Sequence, residues 1–184
     1  MLAFDEPDDG TRRRRLLWAM PAGIYVLGSS AGASGPWNLM THSLAVQAAV
    51  EPCVLVLGVE RDSRTHGLIE ASGVCALSVL RRDQRQLVRR FVKPVDDIEL
   101  DAEGRPSSMA AVPVALTATG APYIADAAGC LDLRVVERVQ FASHSLFCCE
   151  VVAAAVSAEV MEGRASDHIA EILRMEDTKM SYGG

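Results

Sequence analysis

Residues 60–66 form a polar stretch whose side chains could hold an anion. They read Glu-Arg-Asp-Ser-Arg-Thr-His and lie between a predicted buried strand and a predicted helix that Asp62 or Ser63 can cap. Unpaired N–H groups at a helix start favour an anion by about 0.3–1 kcal/mol each, and the hydroxyls of Ser63 and Thr65, with an arginine, would add donors. The stretch is typical of a phosphate-binding turn, and it fits a capped surface helix with charged flanks equally well.

A second polar stretch runs from Asn38 to Ser43. Because side chains alternate along a strand, Thr41 and Ser43 share one face with Leu39, and the even-numbered residues share the other face. Two hydroxyls beside backbone N–H groups suit a planar polar ligand. An ordinary strand with one wet face gives the same pattern, and the residues alone favour this simpler interpretation.

A single histidine, His144, heads a long apolar segment between Ser143 and Ser145. A lone histidine is more often structural than catalytic. The chain shows no serine nucleophile elbow, paired-carboxylate site or metal-binding helix motif, so any demanding chemistry would be supplied by a cofactor. The five cysteines include no C-x-x-C spacing and are interpreted as free thiols, with no metal site expected.

The elements that must position these residues are mostly short apolar strands. Successive strands are often joined too briefly for a crossover helix, which favours antiparallel neighbours. No G-x-G-x-x-G follows the first strand, which argues against a doubly wound parallel sheet. The pattern predicts a mainly β (α+β) fold, an antiparallel split or closed β-barrel of Greek-key type with a few peripheral helices. Strands are predicted at 24–27, 38–50, 53–59, 74–80, 131–135 and 145–156, and helices at 62–73, from Asp83 to Phe91 and from Ser166 or Asp167 to Leu173.

Length and composition fit one soluble domain. The 184 residues are 49% hydrophobic and 23% charged, with a net charge of −6 that disfavours nucleic-acid binding. No apolar run reaches the roughly 20 residues that span a bilayer, and the acidic N-terminus is unlike a signal peptide, so we expect no membrane association and a cytoplasmic location. Residues 1–22 are expected to form a tail and a lead-in helix, and 23–184 a single domain.

A basic block between Arg81 and Lys93 contrasts with the acidic remainder of the chain. It contains six basic side chains and one acidic one, a local charge of +5. It could add a cation to the phosphate site, or hold the acidic segment 94–122 or a second subunit. The segment 94–122 is rich in Pro and Gly and is predicted to be a long excursion, or lid, with little regular structure.

In this order, several segments resemble the flavin reductase-like family, whose fold is the FMN-binding split barrel. The resemblance spans about residues 20–157. The matching segments are Asn38–Ser43 running to Glu51-Pro52, residues 60–69, Cys75–Leu80, Leu87–Phe91, Gly120–Pro122, His144–Phe147 and Glu150-Val151, with a weaker match at Tyr182–Gly184.

The resemblance implies a bound FMN and a hydride donor, NADH or NADPH. Backbone groups of the strand 38–43 would contact the isoalloxazine, hydroxyls and arginines near residues 60–65 would hold the phosphate, and His144 would lie near the flavin or nicotinamide as the catalytic residue. The cofactor contacts implied are Asn38, Leu39, Met40, Thr41, His42, Ser43, Glu60, Arg61, Ser63, Arg64, Thr65 and Arg90. Where the family often has Gly-Asp before this histidine, the chain has Ala142-Ser143.

The function implied is that of a homodimeric NAD(P)H-dependent flavin reductase that supplies reduced flavin to a partner monooxygenase. Two alternatives remain open at this stage. One is a non-enzymatic flavin-binding electron carrier, and the other is an oxidoreductase of the same barrel that acts on another small substrate.

Overall fold

The computed structural model describes residues 10–32, 34–157, 172–178 and 180. The α-helices are α1 (Thr11–Ala19), α2 (Arg64–Ser72) and α3 (Leu87–Arg90). The strands are β1 (Tyr25–Ser30), β2 (Trp37–His42), β3 (Ala45–Ala49), β4 (Val54–Glu60), β5 (Val74–Val79), β6 (Ile98–Leu100), β7 (Pro106–Met109), β8 (Val112–Leu116), β9 (Pro122–Ile124), β10 (Gly129–Gln140) and β11 (His144–Val156). The predicted helix from Ser166 or Asp167 lies mostly outside the described residues, and Leu173 at its end bonds to Leu80 through its amide.

Seven antiparallel strands form one sheet in the order β2-β1-β5-β10-β11-β4-β3. In a flat sheet the edge strands β2 and β3 would stand roughly 29 Å apart. Only Ser43 and Leu44 join them, and a link of that length spans about 11 Å at most. The sheet must therefore curl so that the end of β2 lies close to the start of β3, and the predicted antiparallel split-barrel fold is confirmed.

Two predictions about elements were wrong. Residues 38–50 are not one strand, because the chain bends at Ser43 and Leu44 and its two halves take opposite edges of the sheet. Residues 94–122 are not irregular, because they supply most of a four-stranded antiparallel sheet, β6-β7-β8-β9. The predicted helix from Asp83 is interrupted, with a 3-10 turn at Arg82–Gln84 and then the short α3.

Apolar packing occurs on both sides of the curled sheet. Leu27, Leu57 and Phe147 belong to a buried cluster on one side. Leu39, Phe91 and Met109 belong to another, which includes residues of α3 and of the small sheet. The strand β2 contributes to both clusters, because Leu39 belongs to the second and Met40 packs against the first.

Helix α2 follows the predicted pattern closely. Ser63 is its N-cap, and its Oγ accepts a hydrogen bond from the amide of His66. Gly73 ends it in the left-handed conformation with φ 70°, which glycine adopts without steric cost. None of the described helices is long and apolar enough to cross a bilayer.

Candidate functional site

Three chain segments that were singled out in the sequence meet at one end of the barrel. His144, the first residue of β11, pairs with Glu60, the last residue of β4. The amide of Arg61 donates to the carbonyl of Ser143 over 3.0 Å, and the amide of Gly58 donates to Leu44 over 2.8 Å. The end of β2, the β4–α2 turn and the start of β11 therefore form one surface.

The first turn of α2 supplies the anion-binding groups of this surface. The amides of Arg64 and Thr65 have no acceptor within the described part of the chain. The Ser63 hydroxyl donates to the carbonyl of Glu60 over 2.7 Å and lies beside these amides. Because the nine-residue helix directs its positive dipole end at this point, the turn can hold a phosphate group.

Thr65 occupies a different position from the one expected. Its side chain is fully buried and its Oγ1 accepts from the amide nitrogen of Asn38 over 2.9 Å. The Asn38 side-chain oxygen accepts from the amide of Val95 over 2.9 Å. These two residues therefore join β2, α2 and the segment after α3, and in this conformation the Thr65 hydroxyl points into the interior.

The remaining β2 residues differ in their accessibility. Leu39 is fully buried and Met40 packs partly against the cluster of Leu57 and Phe147. The Thr41 hydroxyl donates to the Val88 carbonyl over 2.5 Å. A ligand could reach the backbone groups and the partly exposed side chains of this strand. Ser43, the residue after the strand, is half-buried and could also be reached.

The three arginines expected at the site have protein partners. Arg61 donates to the carbonyl of Ala142 over 3.3 Å, and Arg64 pairs with Asp96 over 2.8 Å. Arg90 donates to the carbonyl of Ala110 over 2.8 Å. The basic block thus contacts the segment 94–122 through Arg90, one of the roles considered for it.

His42 and His144 are close enough to interact electrostatically. His42 is buried, and its Nε2 lies 3.1 Å from the carbonyl of Leu44. Burial is the main cause that lowers the pKa of His42 to about 4; the contact with the Leu44 carbonyl opposes it, and the nearby His144 adds a smaller lowering effect. His42 is therefore neutral at pH 7, whereas the half-buried His144 is the histidine that a ligand can reach.

Two residues of this region were not identified from the sequence. His66 on α2 and Ser145 on β11 are both buried, and His66 Nε2 lies 2.8 Å from Ser145 Oγ. Side chains alternate along a strand, so Ser145 lies on the face opposite to His144. This alternation could have indicated that the Ser145 hydroxyl points into the interior. Nothing in the sequence spacing indicates that His66 is its partner.

A large cleft in the described part of the chain lies elsewhere. Its volume is about 1190 Å³, and none of the expected site residues lines it. Arg81 and Asp126 in its wall form an ion pair over 3.0 Å. The convergence of polar groups at the α2 turn, and not the size of this cleft, identifies the candidate site.

Comparison with known proteins identifies relatives of this chain. A flavin reductase (NADH) from Kitasatospora aureofaciens is 29% identical over 152 residues, 83% of this chain and 75% of that protein. The FMN reductase (NADH) RutF of Variovorax paradoxus is 29% identical over 63% of this chain and 60% of its own length. The solved NADH:FAD oxidoreductase SgcE6 of Streptomyces globisporus superposes with a TM-score of 0.66 at 25% identity, covering 85% of each chain.

The family assignment rests on a longer match than any single motif provides. The model of the flavin reductase like domain matches residues 17–170. That range contains β1 to β11, the α2 turn and His144, all the elements that form the candidate site. This chain therefore belongs to the flavin reductase like domain family.

Proposed function

We propose that this protein is an NADH-dependent flavin reductase that binds FMN at the surface formed by β2, the β4–α2 turn and the start of β11. The observation that carries the proposal is the free N-terminal turn of α2 beside His144, in a chain of this family. The names of the related proteins support NADH as the hydride donor, and one of them names FMN.

The residues present fit a phosphorylated flavin. The amides of Arg64 and Thr65 would hold the phosphate, and the Ser63 hydroxyl would donate to it by turning away from the Glu60 carbonyl. Arg61 lies beside them and would add positive charge without leaving its contact with Ala142. Backbone groups of β2 would contact the ring system, since most of its side chains are engaged within the fold.

FMN held by the α2 turn and β2 would supply a hydride acceptor for NADH at this surface. The chain's own contribution is to place and shield the reactants, because hydride transfer needs close stacking and dry surroundings more than acid–base help. His144 at the rim would orient the nicotinamide, and the buried His42 nearby is neutral.

An exposed apolar surface next to the site supports a homodimer. Val46, Val56, Cys148 and Leu146 lie on the same outer side of β3, β4 and β11, and Val139 on β10 pairs with Leu146. We call this surface the outer apolar face; it also includes Leu44, and His144 lies on the same side of β11. Exposed fractions of 63% for Val46, 44% for Leu44 and 41% for Val139 are typical of a surface that a partner covers.

Anaerobic stopped-flow spectroscopy tests the proposed activity. FMN-loaded protein mixed with NADH should lose its flavin absorbance within seconds, and NADPH should act more slowly. His144→Ala should slow this step about tenfold while changing the FMN dissociation constant less than threefold. Ser72→Ala, at the far end of α2, is the matched control and should behave as the wild type.

The same experiment separates the alternatives. If NADH and NADPH both fail to bleach the flavin but a reduced partner protein does so, the protein is an electron carrier. If bleaching is fast, adding a flavin-dependent monooxygenase with its substrate should couple NADH oxidation to product formation, which is the role we propose for the reduced flavin. Protein that binds no FMN at millimolar concentration would contradict the proposal as a whole.

A further inference from the structure

A buried polar contact joins the two halves of the candidate site. His66 lies in the first turn of α2 with 6% of its surface exposed, and its Nε2 is 2.8 Å from the Oγ of the fully buried Ser145. The His66 ring also packs on Phe147, with ring centroids 5.1 Å apart. A buried hydroxyl and a buried imidazole are each costly to leave unpaired, so this contact fixes the spacing between α2 and β11.

Each partner is directly connected to a group that the function needs. The amide of His66 donates to the Oγ of Ser63, the N-cap at the phosphate turn, over 3.2 Å. Ser145 immediately follows His144 on β11. One side-chain contact therefore links the proposed phosphate-binding turn to the residue proposed to orient the nicotinamide.

Other contacts hold the same hairpin against α2. Glu70, one turn beyond His66 on α2, lies 3.9 Å from His66 Nδ1 and forms an ion pair with Arg138 on β10. This carboxylate favours a proton on Nδ1, so we assign Nε2 as the acceptor and the Ser145 hydroxyl as the donor. The β10–β11 hairpin is thus attached to α2 at Ser145 and at Arg138, on two different strands.

We propose that His66 is a positioning residue: through Ser145 it sets where His144 stands relative to the flavin phosphate. This inference rests on the proposed function. A hydride acceptor anchored by its phosphate at one end and a donor oriented by His144 at the other must be aligned closely, and a misplacement of about 1 Å can cost up to a hundredfold in rate. Binding of the flavin alone depends on the α2 turn and β2, and less on the position of His144.

The test compares His66→Phe, Ser145→Ala, the double variant and His66→Gln. Phenylalanine keeps the packing on Phe147 but cannot bond to Ser145, whereas glutamine keeps a polar atom near the position of Nε2. We expect His66→Phe and Ser145→Ala each to lower the kcat of anaerobic flavin reduction about tenfold while the dissociation constant for FMN changes less than twofold. The double variant should be no slower than the slower single variant, because both lose the same contact.

Two features of this design exclude a merely structural effect. His66→Gln should recover kcat to within about threefold of the wild type, and Ser72→Ala on the same helix should leave it unchanged. All variants are measured well below their unfolding midpoints, and if His66→Phe does not fold, Ser145→Ala together with His66→Gln carries the comparison.

Unchanged kcat in folded Ser145→Ala would overturn the inference, as would an equal loss of FMN affinity and kcat or a multiplicative effect in the double variant. These outcomes differ from failure of the proposed function, in which the wild-type protein itself would not reduce FMN with NADH.

Discussion

Ser63 and Thr65 are neighbours in sequence but act on different parts of the molecule. The Ser63 hydroxyl lies at the exposed start of α2, and the Thr65 hydroxyl is buried against Asn38. Both residues were expected to contact phosphate, because the sequence at the start of a helix does not show which polar side chain turns inward. The buried amide of Asn38 decides this, because it needs an acceptor in the interior.

Separate substitutions should distinguish the two hydroxyls. Thr65→Val keeps the side-chain volume but leaves the Asn38 amide nitrogen without an acceptor, so the free energy of unfolding should fall by about 1–3 kcal/mol with little change in FMN affinity. Ser63→Ala removes the N-cap hydroxyl, which would turn from the Glu60 carbonyl to donate to the phosphate; it should weaken FMN binding about tenfold, at a cost of about 1 kcal/mol in stability. Urea unfolding measures the change in stability, and fluorescence titration measures the change in FMN affinity. If only Thr65→Val lowered the FMN affinity, the phosphate would bind elsewhere.

His42 should make the protein less stable in mild acid. Its folded-state pKa is about 4 because of burial, against an ordinary value of 6.5. Between these two values the unfolded chain binds a proton that the folded chain excludes, so the free energy of unfolding falls as pH decreases from about 6.5 to 4, by about 3 kcal/mol in total. Urea unfolding of the wild type and His42→Gln at pH 7 and pH 4.5 should show a smaller pH dependence in the variant. The buried His66, whose pKa burial also lowers, contributes equally to both proteins.

At the scale of elements, the sequence predicts those helices and strands whose ends or interiors carry a local signal, such as a cap residue or an apolar run. Ser63 and Gly73 mark the two ends of α2, and the unbroken apolar run of 53–59 marks β4, so both were predicted. The bend at Ser43 and Leu44 has no glycine or proline to mark it, since it is imposed by closure of the barrel. Residues 94–122 contain prolines that usually argue against strands, yet short strands in a small peripheral sheet tolerate them, as Pro113 does within β8.

The turn between β7 and β8 contains an unusual backbone conformation. Ala110 and Ala111 have φ of 51° and 57°, a region that alanine adopts only with strain and that two-residue hairpins normally fill with Asn-Gly. The amide of Ala110 donates to Asp97, and its carbonyl accepts from Arg90, so neighbours hold the turn in place.

Replacing these alanines with the residues that such turns prefer should stabilise the protein. Ala110→Asn with Ala111→Gly should raise the free energy of unfolding by about 1–2 kcal/mol, because the strain is relieved while the bonds to Asp97 and Arg90 remain. Urea unfolding measures the gain. Ala110→Val, which puts a β-branched residue at a positive φ, should lower stability. Equal urea midpoints for the two variants would mean that the turn carries no strain.

At the scale of the whole molecule, barrel curvature explains why the site and the outer apolar face are adjacent. Curling brings the end of β2 close to the start of β3, which places Leu44 beside Gly58, and β11 carries His144 beside Glu60 at the same end. The sequence gives the residue types at each position but not their neighbours, because seven strands of similar composition can pair in many orders. The resemblance over about residues 20–157 implied the split-barrel fold, and the structure gives the order of its strands.

A charge placed on the outer apolar face should prevent self-association and reduce activity together. Val46 is 63% exposed in the single chain, and Val46→Glu would bury a carboxylate if two copies meet there. We expect the dimer dissociation constant to rise about a hundredfold and flavin reduction to slow in proportion to the monomer formed, since His144 lies on the same side of β11. Leu100→Glu, at a 55% exposed position on the small sheet, is the matched control and should change neither property. Sedimentation velocity measures the mass of the assembly, and parallel stopped-flow assays measure flavin reduction. If Val46→Glu keeps the wild-type mass, the two chains meet on another surface. If the mass falls but the rate does not, the site is complete within one chain.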